Sequence, residues 1–465
     1  MKKLLLWIVV LMLVATFSLV GCKTAPEAVE AEEVEEEAAV VEETPVVEEE
    51  KAKIVIWGDT VDGDTALTGW EEDIIPQFLE QNKNIEIEYT QQPNVHETTR
   101  TALLGGAGPD IVISYGPSFA SELAKGGYLY PLDDFVKEYG WDNVFAPWSL
   151  TSYIVEGSLY ALPDEIETLV LYYNKTLFDE KGWKPPTTID ELLVLCKDIA
   201  EEGIIPFAHC NAEWRPANEW FVGEFLNHAG GTQVVYEALI GQGSWTDPSL
   251  VYSMEILNEI VQKGWFTGGL DRYYTTTFDE QLAMFGDGKA AMNIEGTWSI
   301  CDYPNYFGEE AGNSNDWDWV PMPSVTGEAI FDVGIGSVWG INKNTEYPEA
   351  TAKFIDYFYS SEVQGRLLSG VMGKAPAPVE LEEKDLKGVD PRYAEILLSL
   401  SKAFEANNYG YTTWTFLGPK SNLYLVEEIE KVWAGDITVE QYLEGMQEIF
   451  SEELEAGEGL PIPVR

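Results

Sequence analysis

The 465-residue chain is poor in the residues that build metal, thiol and nucleic-acid sites, with four Cys, three His and only 28 Lys and Arg against 80 Asp and Glu. The formal charge of -52 argues against a nucleic-acid partner, which needs clustered cations that release counterions, and disfavours docking on anionic lipid through a basic face. No Cys lies in a C-x-x-C pair, and none of His96, His209 and His228 is spaced as a helical metal pair or follows a G-x-S-x-G elbow. Each His is therefore expected at the surface or in a hydrogen bond. Gly105-Gly106-Ala107-Gly108 lacks the Lys of a phosphate loop and follows a helical rather than a strand pattern, so it reads as a turn. With no nucleotide, metal or redox signature, neither cofactor nor metal is expected. Asp59, Asp62 and Asp64 share one loop, but their spacing departs from a calcium-binding loop.

What is present begins with Lys2-Lys3, an apolar run from Leu4 to Leu13, and Leu19-Val20-Gly21-Cys22. The run is short for a membrane span and ends in small residues, as an export signal does. Residues 1–21 are read as a lipoprotein signal peptide and Cys22 as the lipidated first mature residue, anchored to the outer face of the cytoplasmic membrane. Residues 27–50 hold twelve Glu and no base, so 22–50 is expected to be an extended acidic tether. Cys196, Cys210 and Cys301 then permit at most one internal disulfide, and packing is their expected role.

From residue 51 onward, strand and helix signals alternate. Ile54-Val55-Ile56-Trp57 and Ile111-Val112-Ile113 are apolar strand runs, Ile85 to Tyr89 alternates with period two, and Trp70 to Leu79 and Glu97 to Leu104 read as helices. That order implies βαβ units and a mainly parallel sheet, in a body too long for a single compact core. Capping boxes are expected at Thr188-x-x-Glu191, Ser361-x-x-Gln364 and Thr438-x-x-Gln441. Sixteen Trp and 23 Tyr accompany abundant acids and amides, a composition suited to the C-H faces and hydroxyl edges of sugars.

The stretch Gly157-Ser158-Leu159-Tyr160-Ala161-Leu162-Pro163, with Glu165, Glu167, Thr168 and Leu171-Tyr172-Tyr173-Asn174-Lys175, resembles family 1, sugar-type solute-binding proteins of bacterial ABC importers. Pro185 to Leu192, Gly108-Pro109-Asp110-Ile111-Val112, Phe285 to Met292 with Gly296-Thr297-Trp298, Val320-Pro321-Met322-Pro323 and Gly334 to Asn342 carry the resemblance in order through the body. It departs at Trp57-Gly58-Asp59, a reduced aromatic strand end, and at Gly373-Lys374-Ala375-Pro376.

The resemblance implies an α/β, two-lobe periplasmic-binding-protein fold of type II whose hinge is crossed more than once. Lobe 1 would comprise 51–165 plus 333–373, and lobe 2 would comprise 166–332 plus 374–465. Ligand contacts are then expected from Trp57, Asp59 and Tyr115 at strand ends, and from Glu165, Glu167 and Thr168 at the first crossover. Further contacts are expected from Asn211, Trp214, Asn218 and Trp220, from Trp298 as the stacking aromatic, and from Trp339, Tyr411 and Trp414. Glu165 and Glu167, at i and i+2, face one side of an extended chain about 6 to 7 Å apart. That spacing also suits a glycosidase pair, but neighbours on one strand would not flank a scissile bond, so binding rather than catalysis is expected. The implied partners are a neutral sugar or oligosaccharide and an ABC permease, with the protein a lipid-anchored monomer and no nucleic acid involved. A glycan-adhesion lipoprotein without transport and a receptor for a cationic amine are the other readings.

Overall fold

The structure is a computed structural model that describes residues 51–60, 63–212, 217–371, 375–379, 384, 386–463. The signal, Cys22, the tether, Asp62, Trp214 and Gly373-Lys374 lie outside the described residues. Fourteen strands are present among those described. They are β1 (Ala52–Asp59), β2 (Ile85–Gln92), β3 (Ile111–Tyr115), β4 (Ile154–Val155), β5 (Ser158–Leu159), β6 (Ala161–Pro163) and β7 (Ile166–Glu167), followed by β8 (Leu169–Asn174), β9 (Ile205–Ala208), β10 (Ala290–Gly296), β11 (Trp317–Val320), β12 (Phe331–Ile335), β13 (Ser337–Ile341) and β14 (Tyr409–Tyr411).

The first sheet has order β2-β1-β3-β13-β6, with β1 parallel to β2 and β3, and β13 antiparallel to β3 and β6. The parallel part arises because helices connect these strands, Ile75–Gln81 before β2 and Val95–Leu104 before β3, as the βαβ pattern requires. A second sheet, β11-β8-β10-β9, is mixed, and a third, β14-β12-β7, joins short strands from three distant parts of the chain. Trp70 to Leu79 is helical as expected, but its first part, Gly69–Ile74, winds as a π-helix before the α-helix begins.

Among the described residues two large hydrophobic cores follow the sheets, with a small third cluster of Leu103, Val112, Leu123, Ala124 and Leu129. The first gathers Ile54, Ile56, Ile111, Leu162, Val338 and Ile355 around the first sheet, while the second gathers Leu171, Phe207, Ile294, Val333 and Tyr411 around the second and third. The chain passes between them at Asp164-Glu165, which links β6 to β7, and again at Gly336, the single residue between β12 and β13. Cys196 is a free thiol within the second core, Cys301 is a free thiol packed against it, and Cys210 is buried. No helix among the described residues is long and apolar enough to cross a membrane.

Thr188 and Thr438 cap their helices in the expected boxes, and Thr277 with Glu280 forms a third that the sequence reading missed. The Ser361 box is absent. The cap position falls on Ser360 without a side-chain bond, and Gln364 instead donates to the Phe358 carbonyl and accepts from the Ala377 amide.

Candidate functional site

Strand β1 ends on Asp59, a buried carboxylate that accepts the Val95 amide at 3.0 Å and the Tyr115 hydroxyl at 3.3 Å. Tyr115 ends β3, the parallel neighbour of β1, so the two side chains meet beyond the carboxyl ends of adjacent strands. Trp57 precedes Asp59 by two residues, on the same side of the strand, and is half-buried. Asp110 is structural, accepting the Val55 amide at 2.7 Å and the Thr345 hydroxyl.

Gly116 follows Tyr115 with φ of 76°, and its amide donates to the Gly336 carbonyl at 2.8 Å. A Cβ there would lie 2.9 Å from the Trp414 carbonyl, so only glycine lets this corner of the first sheet approach Trp414. From Trp414 an aromatic row continues to Trp298, ring centroids 6.3 Å apart in an edge-to-face pair, and on to Trp220 at 5.3 Å. Trp298 lies directly over Gly296, where a Cβ would fall 2.0 Å from its ring. Beneath it the Glu295 carboxylate accepts from the Gly296 amide at 3.2 Å and from Gln281 at 2.5 Å. Burial is the main influence on Glu295 and pushes its pKa up to about 8, against the donors that favour the anion.

At the crossover, the Glu167 carboxylate lies against Gly336, where a Cβ would fall 1.7 Å from Oε1. Glu165 is half-buried, and its carbonyl accepts the Gly336 amide at 3.1 Å. Both acids therefore flank these two crossings, and the chain passes from the first core to the second once more between Val379 and Leu386. A second bond pair, from Ser337 Oγ to Asp164 Oδ2 at 2.6 Å and from the Asp164 amide to the Ser337 carbonyl at 2.8 Å, ties the crossings together.

Other expected contacts are placed elsewhere. Trp339 is a first-core residue, wholly buried and stacked on Phe358 at 4.2 Å and Trp70 at 5.9 Å. Tyr411 is a second-core residue packed between Tyr236 and Phe416. Thr168 is fully buried, and its carbonyl accepts the Thr297 amide. Asn218 is fully buried and donates to the Val426 carbonyl and to Glu430, which Asn211 also reaches at 3.4 Å. Trp339, Tyr411, Thr168 and Asn218 are each at most 1% exposed, deeper in the body than the aromatic row.

All three His are buried rather than at the surface, and His228 makes the alternative that was expected, a ring hydrogen bond, with the Met322 carbonyl at 3.1 Å. His209 makes no ring hydrogen bond and packs among Phe221, Trp220 and Tyr273. The reading of the sequence also missed Glu295 and Gly116. The first is one residue from the Gly-x-Trp turn and the second opens a helix after a strand end, positions whose importance appears only when Trp298 and Trp414 come together.

The sequence matches the family described as bacterial extracellular solute-binding protein over residues 63–365. A solved structure described under xylan utilization by the thermophilic bacterium Caldanaerobius polysaccharolyticus superposes with a TM-score of 0.72 at 22% identity, covering 85% of this chain and 99% of that one. The maltotriose-binding protein of Pyrococcus abyssi is 23% identical over 73% of this chain and 69% of its own length. The alpha-glucosides-binding periplasmic protein of Rhizobium meliloti is 24% identical over 77% of this chain and 82% of its own. The architecture is the mixed α/β periplasmic-binding-protein fold. The chain belongs to the bacterial extracellular solute-binding proteins, whose work is binding rather than catalysis.

Proposed function

We propose that this protein is the lipid-anchored receptor of an ABC importer, capturing a neutral sugar or oligosaccharide and presenting it to a membrane permease. The observation that carries this reading is the junction at Gly116. There the Asp59–Tyr115 pair of the first sheet meets an aromatic row, Trp414, Trp298 and Trp220, belonging to the second core. A pyranose has apolar faces for such rings and hydroxyls for such carboxylates. The names of the two relatives, one for maltotriose and one for alpha-glucosides, support the same ligand class.

Lobe 1 (51–165 plus 333–373) and lobe 2 (166–332 plus 374–465) close on the ligand about the crossings at Asp164-Glu165 and Gly336. Ligand that touches both lobes only when they are closed drives closure by its differential affinity. Glu165 and Glu167 stand at the pivot, where they sense closure and accept sugar hydroxyls.

The test is thermal unfolding of the mature protein against maltotriose, other α-glucosides, xylo- and chito-oligosaccharides, and a polyamine. A bound sugar at about 100 times its Kd adds roughly 2.7 kcal/mol and raises the midpoint. If only the polyamine raises the midpoint, the sugar reading is overturned.

A further inference from the structure

Helix Asn218–Phe225 runs directly into the π-helical turn Leu226–Gly231, which puts Glu224 and His228, four residues apart, on one face. Opposite them stands Asp332, the second residue of β12. All three are about 1% exposed. His228 Nε2 is 3.3 Å from Glu224 Oε2 and 3.3 Å from Asp332 Oδ1, and ligand atoms of the three lie within 4.8 Å of one another.

Three features distinguish this cluster from an ordinary buried ion pair. His228 Nδ1 is 3.1 Å from the Met322 carbonyl, which only an N–H can satisfy, so Nε2 is the ring nitrogen that faces the two carboxyl groups. Apart from the contact that the Glu224 and Asp332 carboxyl groups make with each other, no hydrogen bond among the described residues reaches their oxygens. The spacing is also long for a charge-assisted hydrogen bond, which closes to about 2.7–2.9 Å. Ligand atoms bound at about 2.0–2.1 Å around a tetrahedral ion sit about 3.3 Å apart. At residue 410, facing Asp332, a Cβ would fall 1.7 Å from Oδ1, so glycine there makes room for the carboxylate.

We propose that Glu224, His228 and Asp332 form a structural binding site for a divalent transition-metal ion of the zinc class, which staples the 218–231 helical segment to β12. One imidazole and two carboxylates match borderline ions such as Zn²⁺, whereas Ca²⁺ demands six to eight oxygens, which these three side chains do not supply. The staple bears on the candidate site, because β12 leads through Gly334 and Ile335 to the crossing at Gly336. In the same segment, the helix holds Trp220 and the side chain of Asn227 bonds the Tyr411 backbone. The inference is independent of which solute the protein carries.

The full mature protein, prepared without a metal-affinity tag from zinc-supplemented culture, is assayed for bound metal by mass spectrometry and then exchanged with Co²⁺. One equivalent of zinc per chain, a visible cobalt spectrum of tetrahedral intensity, and a midpoint that falls on chelation are the expected results. His228→Gln and Asp332→Asn each reduce bound metal to below about a tenth of an equivalent. Circular dichroism checks that the variants fold, and Glu224→Gln serves where one does not. The proposal is overturned by wild-type protein that takes up no metal and shows a doubly protonated His228 ring by nitrogen NMR, which would mean an imidazolium held between the acids. Stoichiometric metal that persists in the variants overturns it equally.

Discussion

Glu219 opens onto a measurable consequence of burial. It lies in the first turn of the helix that carries Trp220, is 5% exposed, and accepts from the Asn422 amide at 3.2 Å. Burial dominates and pushes its pKa from 4.5 up to about 8. Between those two values the folded state keeps a proton that the unfolded chain releases, so stability falls as pH rises from about 4.5 to 8 and is unaffected by this group below 4.5. At pH 7 the gap is 2.5 pKa units (7 minus 4.5), a cost of about 3 kcal/mol, growing to about 5 kcal/mol at pH 8 and above.

Glu219→Gln keeps the shape and an oxygen for Asn422 while removing the proton equilibrium. It is expected to gain about 3 kcal/mol over the wild type at pH 7 and nothing at pH 4. For a body of this length, at ~2.1 cal/mol/K per residue, that gain moves Tm by only ~4 °C, so urea unfolding at a series of pH values is the sharper assay. Glu295, at about 8, and Asp302, pushed up to about 6 by burial, leave a slope of the same sign in the variant. The difference between the two proteins is therefore the diagnostic quantity. Parallel pH profiles from 4.5 to 8 would refute the reasoning.

Three further substitutions probe other parts of the account. Gly116→Ala forces a side chain into the left-handed region and against the Trp414 carbonyl, so urea unfolding should show a loss of ~2–4 kcal/mol. The Arg392 guanidinium grips Asp390 through two nitrogens, donates to the Trp317 carbonyl at 2.6 Å and lies 3.6 Å over the Trp317 ring. Arg392→Lys cannot reproduce that fork and should cost ~1–2 kcal/mol in the same assay. Burial holds His209 well below its ordinary pKa, so the unfolded chain gains a proton below about pH 6.5 that the folded chain refuses, and stability falls as the solution is acidified. His209→Phe, set among Phe221, Phe266 and Tyr273, should remove that acid-side loss, and an unchanged acid limb in urea titrations would contradict it.

Much of the frame was legible because local patterns and tertiary structure agree. The alternation in Ile85 to Tyr89, the apolar runs at Ile54 and Ile111, and the boxes at Thr188 and Thr438 all become the elements they suggest. Ser361 failed because Gln364 had a better use, pinning the Ala377 backbone 13 residues away, and no local signal announces that. Aromatic residues were the least legible. Trp298 follows a strand end and Trp339 follows a chain crossing, yet the first stands in the aromatic row and the second is enclosed by Trp70 and Phe358, which the chain supplies from distant segments. Likewise, His228 has no second His at helical spacing and was set aside as a ligand, whereas Glu224 stands four residues before it and Asp332 is contributed by a strand more than a hundred residues later.

The central claim, capture of an intact sugar at the junction of the two sheets, is tested most directly by calorimetric titration, into wild-type and Trp298→Ala proteins, of the saccharide that raises the unfolding midpoint most, followed by chromatography of the recovered sugar. The account predicts one site per chain, sugar recovered unchanged, and affinity weakened about 10- to 100-fold by the loss of one stacking ring, a difference of roughly 1.4–2.8 kcal/mol. Equal affinity in the two proteins, or recovery of shorter saccharides, would contradict it.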